Sequence, residues 1–120
     1  MTTNAIQVYK CLCDKTRLRI LHLLQHGPLC VGDLQAVLRE PQVKMSKHLA
    51  YMRRAGMVDS RRDANRIIYH LPVKPDRLLA ENLACLQDLR REMPELKRDL
   101  DRLNKATRKF KQTNTKSAKG

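Results

Sequence analysis

The sequence predicts a mainly α-helical domain with one small β-hairpin, and three observations carry that expectation. Apolar residues recur at helical spacing along most of the chain, and only residues 58–71 switch to a twofold alternation. Aromatic residues are scarce (Tyr 3, Phe 1, Trp 0), so the core is left to Leu, Ile, Val, Met and Ala, which favours helices over a sandwich. A length of 120 residues allows one domain with a single modest core and excludes most multidomain enzymes.

Each element has its own signal. Ala5, Val8 and Leu12, with Ile6, Tyr9 and Cys13, follow helical spacing. Asp14 offers an N-cap to a second helix ending near Gly27, whose Leu18, Ile20, Leu21, Leu23 and Leu24 form a face wide enough for the centre of the core. Val31, Leu34 and Leu38 mark a third helix that closes before Pro41. A fourth, from Gln42 to Ala55, turns Met45, Leu49 and Met52 inward and stops at Gly56. Val58–Arg62 and Arg66–Leu71, joined by Asp63, Ala64 and Asn65, make the hairpin, with Ile67, Tyr69 and Leu71 on one face. Beyond Pro72 and Pro75 the chain is helical again. Leu86, Leu89, Met93, Leu96, Leu100 and Leu103 recur in steps of 3 and 4, a heptad seam suited to pairing with a second copy. Pro94 within that seam forces a kink or a break. This is the order of a winged helix-turn-helix domain with a dimerising C-terminal helix.

Charge points to the partner. Lys+Arg 25 against Asp+Glu 12 gives a formal +13, the footprint of a polyanion binder, either nucleic acid or an anionic membrane surface. Residues 104–120 hold Lys105, Arg108, Lys109, Lys111, Lys116 and Lys119 and no acid, leaving +7 for residues 1–103. The expected organisation is therefore a DNA-binding and dimerisation domain over 1–103 and a basic, flexible tail over 104–120. No apolar run approaches the roughly 20 residues of a membrane span, and the N-terminus lacks a signal-peptide layout, so a cytoplasmic protein with reduced thiols and no membrane partner is expected.

On the fourth helix, the side opposite Met45, Leu49 and Met52 carries Val43, Lys47, Ala50 and Arg54, flanked by Ser46. Gln42, Ser46 and Lys47 suit base edges, Val43 a thymine methyl, and Lys44 and Arg54 phosphates. The competing reading is a solvated helix face. His48 falls near the apolar edge, where packing or capping competes with a DNA contact. The hairpin gathers Arg61, Arg62 and Arg66 around Asn65, as suits a ribbon straddling a minor groove. There is no Gly-rich phosphate loop, nucleophile elbow or HExxH, so no enzyme is expected. His22 and His26, at i and i+4, read as a solvated helix edge or half of a metal site.

The segments CLCDKTRLRILHLL (11–24), PLCVGDL (28–34), QVKMSKHLAYMRRAGMV (42–58) and RIIYHL (66–71) resemble the ArsR/SmtB family of bacterial metalloregulatory repressors, in order and spacing. The resemblance implies a homodimer, paired through its first and last helices, that occupies double-stranded operator DNA through Gln42, Ser46, Lys47 and the hairpin. It also implies release by an inducer, most simply a thiophilic ion such as As(III) or Sb(III). Arsenic sensors of that family carry LCVCDL where this chain has Leu29, Cys30, Val31, Gly32, Asp33 and Leu34, so one thiol is missing. Trivalent arsenic prefers three soft thiolates, so Cys11, Cys13 and Cys85 are the further candidates beside Cys30, and a site between subunits is expected. A regular helix points Cys11 and Cys13 about 200° apart, so both cannot ligate one ion unless the helix frays. Simple packing of the thiols, a redox switch and a constitutive regulator with no metal site are the alternatives. Zinc or nickel sensing through the last helix is disfavoured, because residues 76–110 contain no His.

Overall fold

This computed structural model describes residues 5–119, and side chains for residues 5–106. The described elements follow in the order α1 (Ala5–Leu12), α2 (Lys15–Leu24), β1 (Leu29–Cys30), α3 (Val31–Leu38), α4 (Gln42–Arg54), β2 (Asp59–Asp63), β3 (Arg66–His70), α5 (Arg77–Leu86), a 3₁₀ turn (Asp88–Arg90) and α6 (Pro94–Lys119). Local chemistry sets the boundaries. Asp14 starts α2 by accepting the Arg17 N–H at 3.0 Å, and Asp76 starts α5 by accepting that of Leu79 at 3.0 Å. Arg39 ends α3 in the left-handed region at φ 57°, and Pro41, extended at ψ 147°, leads into α4. That short connection makes α3 and α4 a helix-turn-helix.

The core forms around α2, whose Ile20, Leu21, Leu23 and Leu24 are at most 3% exposed, as its wide apolar face requires. Met45, Leu49 and Met52 of α4 face it at 0% exposure, and Met57 and Val58 close it below the hairpin. Each such side chain contributes roughly 1.5–3 kcal/mol by burial.

The sheet has three strands in the order β1-β3-β2, all antiparallel, rather than the two expected. β1 is only Leu29 and Cys30, paired with Tyr69 and Ile68, too short to show an alternation. Ile68 is 8% exposed, while Ile67 on the opposite face is 49% exposed. Asp63 belongs to the ladder opposite Arg66, so the hairpin loop is Ala64 and Asn65 alone. Ala64 stands at φ 55°, in the left-handed region a tight hairpin turn demands. Ala64→Gly should therefore stabilise the fold by about 1 kcal/mol, read from urea unfolding, because the Cβ strain there outweighs the added backbone entropy.

The heptad seam is corrected. Pro94 has no N–H and would clash one turn back, so α5 ends at Leu86 and α6 begins at Pro94. Leu86 at 1% and Leu96 at 0% exposure are consumed within the chain, and Leu89 and Leu103 pack against the same core. The last helix lies on α2 and α3 of its own chain. Asp99, 1% exposed, fixes it there by accepting from Arg19 Nε and Nη2, both at 2.8 Å. Arg102 adds a bond to the Val37 carbonyl at 3.1 Å. The boundary expected at 103/104 falls inside α6. The basic side chains from Arg108 onward lie outside the described residues.

Candidate nucleic-acid interface

With Met45, Leu49 and Met52 buried, α4 turns Gln42, Val43, Lys44, Ser46, Lys47, Ala50, Arg53 and Arg54 to solvent. Val43, on that side, is 68% exposed. On the hairpin Arg61, Arg62, Asn65 and Arg66 are all exposed. His48 is half-buried and on the Asp14 side. Partial burial pushes the Asp14 carboxyl up, but the Arg17 N–H and then His48 and Arg17 charge outweigh it and hold it below the usual carboxylate range. The packing and capping reading of His48 fits that position.

Arg17, which sequence reasoning passed over, fastens this helix. Its Nε donates to the Cys11 carbonyl at 2.9 Å and its Nη2 to that of Lys10 at 3.0 Å, closing the end of α1. The same guanidinium lies 4.4 Å from the centre of the Tyr51 ring on α4. One residue thus ties α1, α2 and α4 together. An arginine one turn after an N-cap was the only signal for it.

Within one chain the four thiols do not assemble. Among the described residues no group of three or more His, Cys, Asp or Glu is placed to hold a metal ion. Cys11 is fully buried, and burial, only partly offset by Arg17, pushes its thiol up to about 11. It packs as a small apolar side chain. Cys30 caps α3, its Sγ accepting the Asp33 N–H at 3.4 Å. Cys13 and Cys85 are exposed.

His22 departs from the expected solvated edge: it is 0% exposed, and its Nε2 accepts from Arg90 Nε at 3.0 Å, which assigns the proton to Nδ1. Burial, then the Arg90 charge, lower it from 6.5 to about 4. Between those values the unfolded chain binds a proton that the folded chain refuses, so stability falls as pH drops from 6.5 towards 4. Urea unfolding should show a loss of about 3 kcal/mol across that window that is absent in His22→Leu. Equal losses in both proteins would assign the pH dependence to His26, which burial and then Arg90 also hold below its ordinary range, and to the carboxylates.

A model of bacterial regulatory proteins of the arsR family matches residues 14–60, from the cap of α2 to the first strand of the hairpin. The arsenical resistance operon repressor of Escherichia coli (strain K12) is 38% identical over 88 residues, covering 69% of this chain and 75% of that protein. HlyU of Vibrio cholerae, a transcriptional activator, is 36% identical over 70 residues, 58% of this chain and 65% of its own. Its solved structure superposes with a TM-score of 0.61, covering 74% of this chain and 90% of that one at 32% identity. The homodimeric winged helix-turn-helix DNA-binding domain of Mb0332 from Mycobacterium bovis gives 0.61 at 27% identity, over 73% and 79% of the two chains. The winged helix-turn-helix fold and the extent of these matches place the chain in the arsR family of bacterial regulatory proteins, DNA-binding transcriptional regulators and not enzymes.

Proposed function

We propose that the chain is a homodimeric, cytoplasmic transcriptional repressor that holds double-stranded operator DNA through α4 and the hairpin and leaves it when an inducer binds. The observation carrying this is that the outer side of α4 and the arginines of the hairpin that follows it are all exposed. In this reading Gln42, Ser46 and Val43 read base edges with Lys47, while Lys44, Arg54, Arg61, Arg62 and Arg66 meet phosphates and Asn65 the groove beside the tip. Two such surfaces about one helical turn apart require a dimer. α6 is occupied within its own chain, which leaves α1, with Tyr9 53% exposed, and α5 to face the second copy. No helix among the described residues is long and apolar enough to cross a membrane.

A thiophilic ion such as As(III) or Sb(III) is the inducer we favour, on the similarity to an arsenical resistance repressor. Among the described residues no trigonal thiolate set exists within one chain, so the donors would be the exposed Cys13 and Cys85 with the buried Cys30 at the start of α3, gathered across the dimer. The two exposed thiols favour a second reading, oxidation as the signal, and one solved relative is described as reduced HlyU.

The test compares reading with positioning. Ser46→Ala or Gln42→Ala should cost about 1–3 kcal/mol on duplex from the protein's own promoter and little on random duplex, whereas Arg62→Ala should weaken both. Equal losses of all three variants on both duplexes would remove α4 as the reading helix.

A further inference from the structure

Where the start of α2, the approach to α4 and the first turns of α6 meet, a cavity of about 410 Å³ opens that no apolar residue lines. Five cations and three carboxylates face it, a surplus of two positive charges. Its floor keeps one of those charges but is closed by contacts, since the buried Asp99 alone takes both Arg19, at 2.8 Å, and Arg102, at 3.8 Å. The rim holds the other charge and is open. Lys15, Lys44 and Arg98 keep 61%, 52% and 63% of their side chains exposed. Glu95 alone answers Lys15 at 3.2 Å and Arg98 at 3.7 Å, and Glu40 answers Lys44 at 3.3 Å. The Glu95 carboxyl is held below its ordinary range by its own backbone N–H and then by Lys15, so it stays charged beside them.

Position gives this rim a partner. Lys44 belongs to α4, between Val43 and the buried Met45, so the cavity opens off the flank of the recognition helix. Arg98 comes from α6, held in place through Asp99 and beyond the residues matched by the family model. A backbone phosphodiester carries a single negative charge and accepts from ammonium and guanidinium groups, which matches a rim of two lysines and an arginine.

We propose that this cavity is a phosphate clamp, in which Lys15, Lys44 and Arg98 seat a backbone phosphodiester of duplex DNA beside the bases that α4 faces. The inference rests on the DNA-binding reading of α4. Such a contact adds affinity and register without reading sequence. Glu95 is then a built-in competitor, occupying Lys15 and Arg98 until a phosphate displaces it.

The experiment uses the full chain and a fluorescent random-sequence duplex about three helical turns long, with anisotropy read over a salt series. Lys15→Ala and Arg98→Ala should each weaken binding severalfold and shrink the slope of log K against log salt by about 0.9. Glu95→Gln, which breaks the same ion pairs, should tighten binding. Arg77→Ala, on α5 and paired with Glu81 at 2.9 Å, should change nothing. If Lys15→Ala and Glu95→Gln both weaken binding, the ion pairs only hold α6, and the clamp is overturned. Inorganic phosphate at constant ionic strength is the second probe: saturable binding that Arg98→Ala abolishes, with salt slopes unaltered in the variants, would assign the cavity to a free anion instead. Lys47→Ala separates the two readings, since loss of binding there with none in Lys15→Ala or Arg98→Ala rejects the clamp alone. No effect of any of the three rejects the DNA-binding reading of α4 itself.

Discussion

Asp99→Ala should destabilise the protein by about 3–5 kcal/mol, the largest single loss expected outside the apolar core. Asp99 is 1% exposed and takes both nitrogens of the Arg19 fork, whose own side chain is 14% exposed. Removing the carboxylate leaves a largely buried guanidinium without its paired acceptor, and that residual cost exceeds anything the pair contributes when intact. The Arg19 guanidinium is held above its ordinary range chiefly by the hydrogen bonds it donates to Asp99, so it does not lose its proton to escape. Asp99→Asn keeps the shape but not the charge and should lie between the two. Arg102→Ala should cost less than either, about 1 kcal/mol, because its contact with Asp99 is long and a third of its side chain is in water. Urea unfolding at neutral pH measures all three. Hydrogen exchange adds a local reading: in Asp99→Ala the amides of α6 should open before those of α2. If Asp99→Ala falls within about 1 kcal/mol of the parent, α6 is held by Leu96 and its apolar neighbours, not by this pair.

That pair also shows where sequence reading stopped. Arg19 and Asp99 lie 80 residues apart, and nothing local in either helix announces the other. The elements with local signals were legible: Asp14 as a cap, Pro41 before α4, the inward line Met45, Leu49 and Met52, and the change of period at the hairpin. β1 was not legible, because two residues define it only through their pairing with Ile68 and Tyr69. The seam from Leu86 to Leu103 misled for a physical reason. Steps of 3 and 4 describe a stripe on one helix, but they are equally met by a chain that breaks at Pro94 and folds both halves onto one core. The outer side of α4 could be read from Met45, Leu49 and Met52 by rotation alone: every residue so assigned is exposed, and His48, placed near the apolar edge, is half-buried. The cavity beside it could not, because it needs α2, α4 and α6 in place together.

Gly32→Cys should raise arsenite affinity by roughly 10²–10⁴-fold, the factor by which a second tethered donor improves on one. The position allows it. A Cβ built on Gly32 meets only the Cys30 Sγ, at 3.8 Å, an ordinary contact, and no left-handed backbone stands in the way. The new thiol would therefore join Cys30 at the first turn of α3, where the sulfur already faces the Asp33 N–H. Two thiolates on one turn supply most of the trigonal set that As(III) prefers, and a third donor from solvent or from an exposed cysteine completes it. Arsenite titration, followed by protection of the thiols from a disulfide reagent, compares the parent with Gly32→Cys. Tight binding in the variant and weak binding in the parent would mean that the natural inducer is not met at α3 and must be sought at Cys13 and Cys85 or in another chemistry. Equally tight binding in both would show that the parent already gathers its thiols across the dimer. Cys85→Ser should then abolish it, while Cys11→Ser, at a buried thiol pushed up to about 11, should leave it in place.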